Sequence, residues 1–356
     1  MPAEWEPHES TWLAWPHFRG DWPGKFEPIP WVYAEIVRNL ASHERVDLIV
    51  NDASWEKKAR RVLDKAGALS ENIRFHYWRT DRVWTRDSGC IFLTWAADPA
   101  DSPLLALHFQ FNAWAKYSNY KCDESSGERM AAVARARVVL PFSKKHRVVL
   151  EGGSIDVNGC GTLLTTEECL LSTAQQRNPQ MDRAAYEQMF ADYLGVQSVI
   201  WLDSGITGDD THGHVDDITR FVAPNTVITM IEPNERNENY ASLRANLGRL
   251  KNARTSDGKK LKIIEIPMPR PVVFEGRPLP ASYANFYIAN GVLLVPVFND
   301  PNDRTALDTL AELFPTREIV PIYSGDLIWG FGALHCMTQQ QPGRESNALQ
   351  AGQPSL

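Results

Sequence analysis

The chain lacks any C-x-x-C pair, and its five cysteines, Cys90, Cys122, Cys160, Cys169 and Cys336, are scattered and odd in number. That argues against a disulfide framework and against a structural zinc site, and it leaves at least one thiol free. No apolar run approaches the roughly 18 residues of a spanning helix, and the opening MPAEWEPHES is acidic, without the apolar region of a signal peptide. The expected location is the cytoplasm, with no membrane partner. A basic excess is also missing: 44 acids against 37 bases give a net charge of −7, so no nucleic-acid partner is expected. No Ser/Gly linker, charge block or low-complexity stretch divides the middle of the chain, so one domain over residues 1–342 is expected, followed by a polar tail at 343–356.

What is present is a chain of 356 residues, 43% hydrophobic, which can bury a substantial core. An amphipathic helix followed by a β-rich run recurs five times, with helices at Trp55 to Lys65, Glu128 to Arg137, Arg183 to Leu194, Asn239 to Leu250 and Arg304 to Leu313. The runs that follow are IRFHYW, HRVVL, SVIWL, LKIIEIP and REIVPIY. A second strand class, a turn leading into an apolar run, recurs at near-even steps at Gly89, Gly161, Asn225 and Gly291, and stepping backwards reaches STWLAWP at Ser10 to Pro16. Such a long period, with one helix and several strands per unit, predicts a closed ring of about five α/β modules that stack to bury one another's apolar faces.

The polar motifs fall near strand ends, where catalytic groups converge on a rigid scaffold. Cys336, in GFGALHCMTQQQP, has glycines before it and a polar run after it, a setting more reactive than that of the other four cysteines. On an extended strand His214 and Asp216 would share a face, and Asp210 and His212 would join them. That stripe reads as a solvated strand face, as a metal site through His212-x-His214, or as the imidazole a thiol nucleophile needs. Asp87 in WTRDSG and Glu151 in EGGSID read alone as a turn acid and an Arg-paired structural acid. Taken together, several carboxylates beside a cysteine and a histidine suit a small planar cation such as guanidinium.

The strings MPAEWEPHESTWLAWP, WTRDSG, FNAW, EGGSID, GTLLTTEECLL, GDDTHGHVDD, SYANFYIANG and GALHCMTQQQP, in this order across nearly the whole chain, resemble the agmatine deiminase and bacterial peptidylarginine deiminase family. The resemblance implies a five-bladed α/β-propeller with a central catalytic pocket, no cofactor and no metal. It implies Cys336 as nucleophile, His214 as general acid/base, Asp87 and Asp216 as the acids gripping the guanidinium, and Glu151 as the group orienting His214. Trp84, Trp114 and Asp210 would line the substrate channel, and the family admits homo-oligomers. SGC at Cys90, GFGALHC and the tight GDDTHGH loop depart from the commonest pattern, and the last two would border the pocket.

The implied reaction is hydrolysis of agmatine to N-carbamoylputrescine and ammonia through a thiouronium on cysteine. The alternatives are a deiminase of peptidyl arginine or another guanidine, a metallohydrolase using His212 and His214, and a non-enzymatic binding protein on the same scaffold. Agmatine is favoured over arginine because the best-matched motifs contain no arginine apart from Arg86 and Arg220, either of which could be paired to an acid.

Overall fold

The computed structural model describes residues 1–94 and 104–343; the expected tail, but for Gly343, lies outside the described residues. The described residues form a mixed α/β fold of seven sheets, two of them two-stranded and the other five, of three or four strands, built alike. In four of these five a first strand runs antiparallel to a central one, and the chain then returns through a helix to a third strand parallel to the centre. These are Ile91–Leu93, Leu105–Leu107 and Arg137–Val139; Asp156–Val157, Thr162–Thr166 and Ser198–Leu202; Thr219–Ala223, Thr226–Ile231 and Lys262–Pro267; and Tyr287–Ala289, Val292–Val297 and Glu318–Tyr323. The fifth sheet joins the two ends of the described chain. Its central strand His8–Ala14 pairs parallel with Arg45–Val50 and antiparallel with Gln339–Pro342, Thr11 facing Gln340.

The return helices follow the periodicity of the sequence. In Arg183–Leu194 the buried residues are Tyr186, Met189, Phe190 and Leu194, one stripe at three- and four-residue spacing. Asp182 caps its start through Ala185 N, and Gly195, at φ 70°, ends it. The expected helices at Trp55, Glu128, Asn239 and Arg304 are Ala53–Lys65, Ser126–Val133, Tyr240–Asn252 and Asn302–Leu313. A further helix, Ile29–Ala41, was not expected; Pro30 near its start and buried Tyr33, Ile36, Val37 and Leu40 explain it.

Two strand assignments are corrected. The strand returning from the Ser126–Val133 helix is Arg137–Val139; within HRVVL only His146–Arg147 is a short strand, and Val149 makes an isolated bridge to Gln110. The run after Gly89 is the first strand of its sheet, whereas those after Gly161, Asn225 and Gly291 are central strands. The true counterpart, Leu105–Leu107, is only three residues long, no longer than Ile91–Leu93 beside it.

Immediately before each antiparallel strand lies a single short helical turn: Thr85–Ser88, Gly152–Ser154, Val215–Asp217, Tyr283–Asn285 and Leu334–Met337. Each packs against the next in chain order, and the last packs back against the first. Among the described residues no helix is long and apolar enough to cross a membrane.

Candidate active site

The five turns bring the chemistry together. Asp87 comes from the first, Glu151 and Gly153 border the second, His214 and Asp216 come from the third, Asn285 from the fourth and Cys336 from the fifth. Gly153 occupies the junction. A Cβ there would lie 2.6 Å from His214 Nδ1, 2.9 Å from Asp216 Oδ2 and 3.1 Å from Asp87 Oδ1, so only glycine lets the three approach. Its own N–H donates to Asp87 Oδ1 at 3.1 Å.

Cys336 is buried, with Asn285 Nδ2 donating to its sulfur at 3.1 Å and its thiol donating to Asp216 Oδ2 at 3.8 Å. Burial, and then the carboxylates of Asp216, Asp217 and Asp87, push its thiol well above the usual range, so it rests protonated. His214 is fully buried. Its Nδ1 faces Asp87 at 4.0 Å and Asp216 at 3.9 Å, while Nε2 faces Glu151 at 3.7 Å. These distances exceed hydrogen bonds, and both ring nitrogens lack a partner. Burial disfavours the imidazolium, but the charge of Asp87, with Cys169 and Glu151 beside the ring, outweighs it and holds the pKa well above that of free imidazole.

The acids differ in state. Burial raises Asp87 to about 6 despite the opposing charge of His214. Trp114 Nε1 donates to its Oδ2 at 2.9 Å. For Glu151 burial is outweighed by Arg177, 3.1 Å away, and by His214, which bring it to about 2. Asp216 is lowered because His335 Nδ1, at 2.7 Å, together with His214 and Arg220, overcomes burial. Asp217, beside it and buried, is raised well above the carboxylate range.

A second layer holds this floor. His335 Nε2 meets Glu4 at 2.8 Å, and Glu4 also pairs with Arg86 at 3.2 Å and Arg220 at 3.0 Å. Arg86 and Arg220 are thus the acid partners expected. Glu4, His335, Asn285, Arg177 and Cys169 were not singled out from the sequence. Glu4 and Asn285 lie within the quoted strings MPAEWEP and SYANFY, but nothing in a string reveals that a side chain 331 residues away, as for Glu4 and His335, or 51 away, as for Asn285 and Cys336, completes it.

One expected constellation is corrected. Residues 203–218 contain no strand, so the alternating stripe does not exist; His212, at φ 65°, turns aside to Ser172 Oγ at 3.2 Å and to Glu168. It does not join His214, which removes the metal pair. Among the described residues the group with metal-like spacing is instead Glu151, Cys169 and His214, whose ligand atoms lie within 4.8 Å of one another. Arg177 already supplies a cation to Glu151 there.

Above Cys336 and Asp87 opens a pocket of about 220 Å³. Trp84 and Trp114 line its walls, Gly332 and Phe331 its edge, and Asp210 lies further out with Asp21. The pocket also holds bases outside the quoted motifs. Arg82 pairs with Asp21 and Lys116 with Asp210, while Arg277, exposed at the rim, makes no ion pair among the described residues.

Residues 1–342 match the family model for Porphyromonas-type peptidyl-arginine deiminase. The agmatine deiminase of Pseudomonas aeruginosa (strain LESB58) is 35% identical, covering 96% of this chain and 95% of its own. That of Stutzerimonas stutzeri is 34% identical with the same coverage. Among solved structures, agmatine deiminase of Enterococcus faecalis superposes with a TM-score of 0.87 at 29% identity, covering 97% of this chain and 96% of its own. Agmatine deiminase of C. jejuni gives 0.81 at 29% identity, with 96% and 95% covered.

Proposed function

This chain belongs to the Porphyromonas-type peptidyl-arginine deiminase family, and from that premise we propose that it hydrolyses agmatine to N-carbamoylputrescine and ammonia through a covalent intermediate on Cys336. The observation that carries the reading is the convergence of an imidazole and two carboxylates around Gly153, one of those acids 3.8 Å from the buried thiol of Cys336, with Asp87 and Cys336 lining a pocket sized for a small molecule. Full-length similarity to agmatine deiminases points the same way. We read the five sheets as the blades of a five-bladed α/β-propeller forming one domain over 1–342, supported by the cycle of contacts among the five turns. We place the enzyme in the cytoplasm, and because every residue given a role here belongs to one chain, a homo-oligomer would carry one such set per subunit.

In this mechanism Asp87 and Asp216 hold the guanidinium nitrogens, which presents the central carbon to the sulfur. The thiol is too weak an acid to ionise alone among three carboxylates. The arriving cation offsets their charge, so the thiol gives up its proton to water leaving the pocket and the thiolate forms chiefly with substrate present. The sulfur attacks the carbon, His214 gives its proton to the departing nitrogen, and ammonia leaves an S-alkylthiouronium. Neutral His214 then takes a proton from water as the oxygen bonds to that carbon, and the C–S bond breaks as the hydroxyl proton passes to the departing sulfur, releasing the ureido product and restoring the thiol. Glu151, fixed by Arg177, steadies the imidazolium at each return.

Ammonia release assayed against a set of guanidines tests the function. Activity is expected to be lost on thiol alkylation and indifferent to chelators, because the position beside Glu151 is served by Arg177. Loss on chelation with recovery on adding back zinc or manganese would overturn the metal-free reading.

The pH profile carries a second expectation. Because burial raises Asp87 to about 6, the carboxylate that grips the guanidinium is lost as pH falls through that value. Accordingly kcat/KM should drop by about tenfold per unit below it. Bound cation stabilises the carboxylate, so the corresponding limb in kcat should lie at lower pH. Coincident limbs, or a kcat/KM flat across that range, would contradict the assignment.

A further inference from the structure

Asp210 is the outer carboxylate of the pocket, and it is already occupied. Lys116 Nζ sits 2.5 Å from its Oδ1, and Tyr117 donates its hydroxyl to Oδ2 at 2.6 Å. Both residues line the same pocket as Asp87 and Cys336. A guanidine that reaches the floor with a four-carbon chain bearing an ammonium directs that ammonium outward, toward the carboxylate that Lys116 holds.

The backbone beneath this lysine is held in an unusual way. Ala113, Trp114 and Ala115 lie consecutively at φ 51°, 58° and 53°, in the left-handed region that non-glycine residues seldom enter. Such a run persists only where its surroundings over-determine it. Trp114 is anchored to Asp87, Ala115 N donates to Asn112 at 2.9 Å, and Gln175 Nε2 bridges the carbonyls of Trp114 and Asp210 at 3.1 Å each. The segment is therefore pinned, and Lys116 can leave Asp210 only by turning its own side chain. That side chain is 39% exposed, so water is at hand to solvate the released ammonium and the contact is weak enough to exchange. Tyr117 keeps Asp210 oriented when the lysine departs. Its ring is in turn covered by the guanidinium of Arg82 at 4.1 Å.

We propose that Lys116 is a specificity-determining residue, a tethered ammonium that occupies in the empty pocket the place on Asp210 taken by the distal ammonium of agmatine. This rests on the deiminase reading above. A guanidine without a distal cation leaves the lysine where it is and gains nothing from Asp210, whereas agmatine replaces one ammonium with another and keeps the carboxylate paired. The pocket thereby selects a substrate charged at both ends, and the competition sets the KM.

The test compares agmatine with N-butylguanidine, which has the same chain and no distal amine, in the wild type and in Lys116→Met. For agmatine the variant should lower KM by about fivefold, the gain from freeing a site occupied in most molecules, with kcat moving less than KM. For N-butylguanidine KM should stay in place, and Lys116→Arg should restore wild-type behaviour. In a Lys116→Met, Asp210→Asn double variant the gain for agmatine should disappear. A parallel fall in KM for both guanidines would mean that Lys116 merely repels cations, and an unchanged or raised KM for agmatine would mean that Asp210 needs the lysine. Either overturns the proposal while leaving the deiminase reading intact. Absence of ammonia release from both guanidines by the wild type would overturn both.

Discussion

Replacing Cys336 by alanine is expected to abolish ammonia release from agmatine while leaving the fold in place. Without the sulfur the covalent route is lost, and the remaining groups can only position water against a resonance-stabilised carbon, so turnover should fall by several orders of magnitude. The fold should survive because little depends on the thiol. Asn285 keeps Asp217 Oδ1 as acceptor at 2.9 Å and still accepts from His335 N at 3.0 Å. Thermal unfolding measured beside the assay separates the two effects. A folded Cys336→Ala protein within tenfold of wild-type turnover would remove the nucleophile from the mechanism.

Arginine, tested side by side, is expected to have a kcat/KM roughly a hundredfold or more below that of agmatine, since its α-carboxylate would be desolvated among acids without a free buried base. The bases that the motifs did not contain refine this argument without reversing it. Arg82 is already paired with Asp21, and Lys116, 39% exposed, turns into water when a substrate displaces it from Asp210. Arg277 makes no ion pair among the described residues, but it lies over the Phe331 ring and is exposed, where water screens its charge. Kinetics on both substrates decide the matter. An equal or higher kcat/KM for arginine or a blocked arginyl peptide would exclude agmatine as the preferred substrate and leave the Cys336 and His214 chemistry untouched.

The sequence made some of this legible for identifiable reasons. The helix at Arg183–Leu194 could be bounded because Asp182 and Gly195 mark its ends and its apolar stripe is regular. The strand at Ser198–Leu202 stood out through its β-branched and aromatic run. The sheet beginning at Ile91–Leu93 was harder, because its central strand is short and the apolar run nearby belongs to its neighbour.

At the site, single residues were legible and relations between them were not. His214 and Asp216 do converge, but through a helical turn at Val215–Asp217 rather than by alternation along a strand. Gly213, at φ 95°, and His212, at φ 65°, break the extended path that the stripe required. Gly153 shows the converse: EGG is readable as a motif, yet the need for glycine follows only from the three side chains that crowd its Cα. The separation between Glu4 and His335, or between Asn285 and Cys336, is closed by the sheets alone, so their contacts carry no local signal.

The account stands most directly on a rapid quench of the protein with agmatine followed by mass spectrometry of its peptides. It predicts an S-alkylthiouronium, agmatine less ammonia, on the peptide containing Cys336 and on no other cysteine-containing peptide. Ammonia release during the quench interval with the Cys336 peptide unmodified throughout would contradict it.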